Sequence, residues 1–274
     1  MVRFPAVAGH FYPGDETSLM AEIVKCFESP LGPGGSGAPK SFNKRTIYGG
    51  LSPHAGYIYS GPVAAHLYRK LWEQEPPSTV IILAPNHTGF GATVAVSPED
   101  FQTPLGIVKA DEELIDQLLG DPITVDSSAH AHEHSIEVQL PFMQYLGWDI
   151  KIVPICMALQ DYDTAVQVGK RINEAIAKRD DVLVIASSDM SHYVPEKIAR
   201  DVDGLAIEQI LSLDTRGLHK TVVSNNISMC GLAPVIGMME AVKGSKATLL
   251  KYGTSGDVHP MRDVVGYAAV SIEK

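Results

Sequence analysis

The first segment of the chain shows the apolar spacing of an amphipathic helix. A helix predicted over residues 15–27 carries its apolar positions on one side: Leu19, Met20, Ile23, Val24 and Phe27. The following stretch, 29–43, is rich in Gly, Pro and Ser, which predicts a loop. It is short and comes early, so we interpret it as a surface excursion within one domain that spans residues 1–274.

From residue 45 onward, short apolar runs alternate with segments of helical period. The predicted strands cover 46–51, 79–84, 93–96, 150–156, 182–186, 247–254 and 264–272. The predicted helices cover 62–72, 111–119, 135–145 and 162–177, with further helices to about residue 242. This order predicts an α/β fold, a three-layer αβα sandwich around a mostly parallel sheet. The last two strands lie close in sequence and are predicted to pair antiparallel, which makes the sheet partly mixed.

Composition supports a folded chain and limits its partners. Hydrophobic residues make up 45% of the 274 positions and charged residues 20%, which is enough apolar material for a continuous core. The net charge of -10 argues against nucleic acid as a partner, because phosphate binding needs a basic face. The apolar runs are too short to span a bilayer, and the N-terminus lacks a signal-peptide core. We therefore expect a cytoplasmic protein without membrane contact.

Three predicted strands run into polar sequences that carry metal-binding side chains. His54 and His87 follow the strands over 46–51 and 79–84, and Asp189 and His192 follow the strand over 182–186. Ligands of open α/β sheets bind beyond the carboxyl ends of the strands, so these four side chains are expected to converge. A proline precedes each of the two histidines, and Gly56 and Gly89 are expected to let the chain turn near a bound group. For each histidine alone, an ordinary loop residue is the alternative interpretation.

Cysteine usage indicates no disulfide framework. The three cysteines are odd in number and widely spaced. Cys230 precedes an apolar segment predicted to be helical, and a helix N-terminus favours the thiolate that binds metal or attacks electrophiles. A buried, inert thiol is the alternative for Cys230. It is the preferred interpretation for Cys26 and Cys156, which lie in an amphipathic helix and at a strand end.

The densest ionisable run lies between residues 130 and 137. His134 and Glu137 are predicted to share one helix face, where His134 is expected to act in proton transfer or to support a ligand. His130 and His132 are interpreted as solvated loop residues. His10 is a weaker candidate for the edge of the pocket.

The sequence has no glycine-rich nucleotide loop and no Gly-x-Ser-x-Gly motif. A metal site is therefore the favoured interpretation of the many histidines.

An ordered set of short motifs resembles the Memo family along nearly the whole chain. The set comprises Ala8-Gly-His-Phe-Tyr12, Pro53-His-Ala-Gly-Tyr57, Pro85-Asn-His87, Glu133-His-Ser-Ile-Glu137 with Leu140-Pro, Ser187-Ser-Asp-Met-Ser-His192, and Cys230-Gly. Each motif is short, but six in the same order make the resemblance specific.

The resemblance implies a fold similar to that of the LigB-like class III extradiol dioxygenases, which hold non-haem Fe(II) with two histidines and a carboxylate. For Memo-like proteins it implies His54, His87 and Cys230 as metal ligands, with Asp189 and His192 lining the pocket. A thiolate in place of the carboxylate weakens the case for ring cleavage. Fe(II) is the expected metal, and thiolate with imidazole also suits Cu or Zn. The resemblance further implies a pathway shared with radical SAM and AMMECR-type proteins.

Four functions follow as hypotheses. The leading one is a non-haem iron redox protein of oxygenase ancestry that acts on an unknown small molecule or peptide. His192 or His134 is its acid/base, and Asp189 orients an imidazole or joins the coordination sphere. The second is a zinc-type hydrolase. The third is a non-enzymatic module that binds a peptide or partner through a vestigial metal pocket. The fourth is a metal-free protein in which Cys230 is the nucleophile.

Overall fold

A computed structural model describes all 274 residues, which form twelve strands and nine α-helices. The strands are β1 (Val2–Arg3), β2 (Ile47–Ser52), β3 (Thr79–Pro85), β4 (Val94–Val96), β5 (Asp100–Thr103), β6 (Gly106–Ala110), β7 (Thr124–Val125), β8 (Lys151–Met157), β9 (Val182–Ser187), β10 (His192–Pro195), β11 (Lys246–Thr254) and β12 (Asp263–Glu273). The helices are α1 (Glu16–Glu28), α2 (Tyr57–Trp72), α3 (Glu112–Leu118), α4 (Leu140–Tyr145), α5 (Tyr162–Ala175), α6 (Glu196–Leu211), α7 (Thr215–Ser224), α8 (Leu232–Val242) and α9 (Ser255–Val258). No helix is both long enough and apolar enough to cross a bilayer.

The centre of the sheet is parallel and its margins are mixed. The strand order is β1-β5-β6-β8-β3-β9-β2-β12-β10, and β11 pairs with β12 beside this path. The four central strands β8, β3, β9 and β2 run parallel to one another. β11 pairs antiparallel with β12, as predicted, and β12 in turn pairs antiparallel with β2. The predicted mixed α/β sheet is therefore confirmed.

The sheet divides the core into two layers of similar size. One cluster of 39 buried residues joins β3, β8 and β9 to α3, α5, α6, α7 and α8, and a second cluster of 35 joins the same strands to α1, α2 and α4. Along β3, Ile81 and Leu83 belong to the first cluster, while Val80 and Ile82 belong to the second. Side chains alternate between the faces of a strand, so a strand that is apolar throughout must be covered on both sides. Burial of this strand on both faces produces the αβα sandwich.

Two predicted helices differ from the observed ones at their N-termini. α2 begins at Tyr57, whereas the pattern predicts a start at Pro62, which lies inside the helix. The Tyr57 backbone N–H donates to the Phe11 carbonyl at 2.8 Å, so tertiary contacts fix a first turn that the proline pattern did not indicate. The predicted helix over 135–145 is instead a 3₁₀ turn, Glu137–Gln139, followed by the short α4.

Candidate metal centre

Three central strands deliver side chains to one edge of the sheet. His54, His87 and Asp189 each lie two residues beyond the last residue of β2, β3 and β9, respectively. After β3, the Asn86 side-chain oxygen accepts from the backbone N–H groups of Thr88 and Gly89 at 3.0 and 3.1 Å, forming a tight turn. Gly89 has a φ of +72° there, as its predicted role in a sharp turn requires. Gly56, however, has a φ of −56°, so its backbone does not need glycine.

His54, His87 and His134 form a compact group of imidazoles. One ligand atom from each lies within 4.8 Å of those from the other two. The ring centroids are 5.2 Å apart for His54 and His87, 5.5 Å for His54 and His134, and 4.7 Å for His87 and His134. Such a group can share one metal ion. The structure thus places His134 beside the two histidines that were expected to be ligands.

A buried carboxylate, Glu133, orients two of these imidazoles. It accepts from His87 Nδ1 at 3.0 Å and lies 3.3 Å from His134 Nδ1. It also accepts the backbone N–H groups of His87, His134 and Ser135. Each Nδ1 is therefore directed at the protein, which leaves Nε2 of both rings for an ion. This is the usual carboxylate–imidazole support of a metal site.

Glu133 stays ionised because its partners outweigh its burial. Burial alone would raise the pKa of Glu133, but the hydrogen bond from His87 and the charges of His87 and His134 hold it well below its usual range. Burial lowers the pKa of His134 despite the nearby Glu133 carboxylate, and His87 lowers it further. His134 is thus favoured in the neutral form, which is the form of imidazole that binds metals.

A different partner, Ser187, orients His54. The single proton of Ser187 Oγ is donated to the Ser135 carbonyl at 2.7 Å, so Oγ must accept from His54 Nδ1 at 2.8 Å. Gln139 Nε2 also donates to Ser187 Oγ at 2.8 Å and to the Pro53 carbonyl at 3.0 Å. These contacts fix the proton of His54 on Nδ1. Its Nε2 therefore carries no proton and has a lone pair that can bind an ion. Burial, followed by the charges of His134 and His87, lowers the pKa of His54 well below its ordinary value.

Cys230 lies beside the histidine group. Its Sγ is 3.3 Å from His54 Nε2 and 3.3 Å from the backbone N–H of Asp189. It precedes Gly231, the N-cap of α8, whose own N–H donates to Ser188 at 2.9 Å. Burial and then the Asp189 charge raise the pKa of Cys230 to about 12. Burial therefore outweighs the expected stabilisation of the thiolate, and the thiol can donate to His54 Nε2.

Asp189 and His192 lie at the same edge but contact backbone rather than imidazole. Asp189 accepts the backbone N–H of His54 at 2.8 Å, and burial raises its pKa to about 6 against the lowering effect of that hydrogen bond. His192 Nδ1 contacts the Ser228 carbonyl at 2.8 Å and must carry the proton there, which leaves Nε2 free. Asp189 thus orients the main chain of His54, not its ring.

A cavity of about 320 Å³ lies over these groups. Its walls include four sequence-predicted histidines and Asp189 together with aromatic and aliphatic residues: Phe11, His54, Ala55, Gly56, His87, His134, Asp189, His192, Tyr193 and Val265. A larger cavity of about 630 Å³ lies elsewhere, with Thr79, Lys151 and Arg179 among its lining residues. Its walls contain charges of both signs but no imidazole or thiol, so the smaller cavity has the chemistry of a functional site.

Two other predictions from the ionisable run are wrong. Glu137 does not share a face with His134, because it is fully buried against the N-terminal segment and pairs with Arg3. His130 is buried rather than solvated, and its Nε2 contacts the Ala95 carbonyl at 3.0 Å. His132 is exposed, as predicted, and His10 is exposed outside the cavity.

Glu133, Ser187 and Gln139 are the site residues that the sequence interpretation missed. Glu133 lies between His132 and His134, within the ionisable run already singled out, and Ser187 begins the Ser-Ser-Asp motif. Their positions could have been noticed, but the atoms they contact come from segments up to 133 residues away. Spacing alone could not assign those contacts.

Known proteins resemble this chain in sequence and in fold. A family model described as "Memo-like protein" matches residues 3–271. A MEMO1 family protein of Methanosarcina acetivorans is 45% identical over 99% of both chains, and one of Ignicoccus hospitalis is 47% identical over 98% of both. The crystal structure of an uncharacterized protein from Escherichia coli K12 has a similar fold, with a TM-score of 0.57 at 13% identity, covering 83% of this chain and all of the other. By sequence, over nearly its entire length, the chain belongs to the Memo family.

Proposed function

We propose that the chain binds one Fe(II) ion through His54, His87 and His134, with Cys230 as a further ligand, and uses it in oxygenase-related redox chemistry on a small molecule. The observation that carries this proposal is the group of three imidazoles within 4.8 Å of one another. Each Nδ1 is held by Glu133 or Ser187. Three side chains whose free nitrogens are Nε2, in one cavity, are arranged for an ion rather than for solvent.

The donor set fits a borderline transition metal. Neutral imidazoles suit iron, copper and zinc, and a thiol that loses its proton on binding adds a softer donor. When bound, Fe(II) would supply one-electron redox chemistry. The preference for iron rests on the similarity to dioxygenases that the Memo resemblance implies, while Cu or Zn is compatible with the same atoms.

The chain's own residues would bind the substrate and move protons. His192 Nε2 is free in the cavity and is the group proposed to exchange a proton with substrate. Asp189 holds the His54 main chain and presents its carboxyl to the same space. Phe11 packs on the His134 ring at a centroid distance of 4.7 Å and shields it from water.

A zinc-type hydrolase is a second candidate. It is favoured by Asp189, a carboxyl group in the cavity that could accept a proton from water beside an ion. The two candidates differ in the metal and in their dependence on oxygen.

Metal analysis of anaerobically purified protein tests the proposal. We expect about one equivalent of iron in the wild type and in His132→Ala, a control at an exposed histidine of the same loop. His54→Ala and His134→Ala should lose the metal. Retention of metal by His134→Ala together with its loss from Cys230→Ser would instead favour the two-histidine, one-cysteine set.

Activity measurements on the same preparations separate the candidates. Oxygen uptake with a reductant and a catechol-like probe supports the redox proposal. Iron binding without turnover would eliminate the enzymatic part of the proposal. In that case, partner binding that survives loss of the metal would indicate a non-enzymatic binding module. Stoichiometric zinc with oxygen-insensitive hydrolysis would favour the second candidate.

A further inference from the structure

Tyr193 is an exposed aromatic residue in a backbone conformation that side chains disfavour. Its exposure is 80%, and its φ is +55°. A bulky residue in the left-handed region is strained, and such strain persists where the surrounding structure imposes it, often at functional sites. The Tyr193 side chain has no hydrogen-bond or core contact that would explain its position.

A β-bulge causes this conformation. β10 pairs with β12 through His192 opposite Val265 and Val194 opposite Val264, so Tyr193 has no partner. Consecutive side chains of a regular strand point to opposite faces, yet His192 and Tyr193 both line the candidate metal cavity. The bulge therefore places an additional residue at the wall of the cavity, which is a known use of bulges next to active sites.

Hydrogen bonds fix the backbone before Tyr193, whereas the Tyr193 ring makes no hydrogen bond. The backbone N–H of His192 donates to Ser228 Oγ at 2.8 Å, and its Nδ1 donates to the Ser228 carbonyl at 2.8 Å. The Gly266 N–H donates to the Ser191 carbonyl at 2.8 Å. The backbone is thus fixed from neighbouring elements, and the aromatic ring remains available to a ligand.

The cavity combines two kinds of surface. Its metal-binding and acidic side chains are polar, while Phe11, Val265 and Tyr193 supply aromatic and aliphatic walls. A ligand that fits both has oxygen atoms at one end and a flat, apolar body at the other.

We infer that Tyr193 is a specificity-determining residue whose ring packs against the flat apolar body of a ligand bound through oxygen at the candidate metal centre. The inference rests on the proposed metal function, since the metal holds the other end of the ligand. Offset or edge-to-face packing of two rings stabilises such a complex beyond the simple burial of area.

Two hydroxamates test this inference on Co(II)-loaded protein. Acetohydroxamate and benzohydroxamate share one oxygen-donor head group, and only the second carries a ring. Tyr193→Asn removes the aromatic ring but keeps a residue type that adopts the left-handed conformation readily. Tyr193→Phe is the matched control that keeps the ring.

Binding is measured from the visible spectrum of Co(II). In Tyr193→Asn we expect benzohydroxamate to bind about tenfold more weakly than in the wild type, with acetohydroxamate affinity unchanged and Tyr193→Phe like the wild type. If Tyr193→Asn weakens the binding of both hydroxamates equally, or weakens the binding of neither, the inference is wrong and the metal proposal stands. Failure of Co(II) to bind the wild type before any hydroxamate is added would overturn the metal proposal and this inference together.

Discussion

A single buried carboxylate decides the orientation of two of the three imidazoles. Glu133 is 2% exposed and receives hydrogen bonds from one imidazole and three backbone N–H groups. It also lies beside the second imidazole, that of His134. Because the same oxygen faces Nδ1 of His87 and of His134, the two rings are turned together toward the cavity. The proposed metal site therefore depends on a residue that would not touch the ion.

Glu133→Gln tests this dependence. An amide has one acceptor oxygen and no charge, so it cannot hold both rings and the backbone groups at once. We expect metal affinity to fall about 10- to 100-fold, the usual effect of losing such a supporting group. Competition against a chelator measures it, with Glu112→Gln as the control at an exposed acid. Unchanged affinity in Glu133→Gln would show that the two imidazoles orient themselves.

The buried His130 predicts a pH dependence of stability. Burial lowers the pKa of His130 to about 4, although the Ala95 carbonyl opposes the shift. The unfolded chain therefore binds a proton more readily than the folded one between about pH 4 and pH 6.5. Stability from this group is complete above about pH 6.5 and is lost as the pH falls toward 4, by an amount on the order of 3 kcal/mol.

His130→Gln should flatten that dependence, because its amide can still donate to Ala95 but does not titrate. Urea unfolding at pH 7.5 and pH 5 gives the free energies of unfolding for both proteins. The loss between the two pH values should be smaller in the variant. The same loss in both would mean that other groups, such as His54, dominate the acid response.

At the scale of elements, the N-terminal segment serves as a wall of the site. Arg3 Nε donates to the His130 carbonyl at 3.0 Å, and its guanidinium pairs with Glu137, which accepts the backbone N–H groups of Ala6 and Val7. Further along, the Phe11 ring packs on His134. The buried ion pair therefore ties the segment that carries Phe11 to the turn that carries His134.

Arg3→Met should be strongly destabilising. It leaves the fully buried Glu137 without its charged partner, and the loss of one member of a buried pair costs about 3 to 5 kcal/mol. Denaturant unfolding measures the loss. Lys25→Met, at an exposed pair with Glu22, should change stability by no more than about 0.5 kcal/mol. A similar loss of unfolding free energy in the two variants would show that burial of the Arg3–Glu137 pair does not increase its contribution to stability.

At the scale of the whole molecule, the sheet was more predictable than the site. The apolar runs that became β2, β3, β8 and β9 are buried on both faces, so their period and order predicted the parallel centre. The rule that ligands bind beyond the carboxyl ends of strands then placed His54 and His87 together. The position of a strand in the sheet fixes the position of the residues that directly follow it, so this part of the site could be predicted.

The remaining site residues come from segments whose course depends on tertiary contacts. The pattern predicts a regular helix from residue 135, but the chain forms a 3₁₀ turn only from Glu137. The backbone N–H groups of His134 and Ser135 donate to the Glu133 carboxylate. The high pKa of Cys230 could not be predicted either, since it depends on burial and on Asp189, 41 residues away in sequence. Local pattern carries no information about such neighbours.

The origin of the proposed ligands in four distant segments predicts coupling between metal binding and folding. His54, His87, His134 and Cys230 come together only in the native sheet, so an ion binds the folded state and leaves the unfolded state largely free. Metal at a hundredfold excess over its dissociation constant should therefore add about 2.7 kcal/mol to stability. Thermal unfolding with and without metal, and after a chelator is added, measures the shift. His54→Ala should unfold at the same temperature with or without metal, whereas a shift as large as that of the wild type would place the ion outside this cluster.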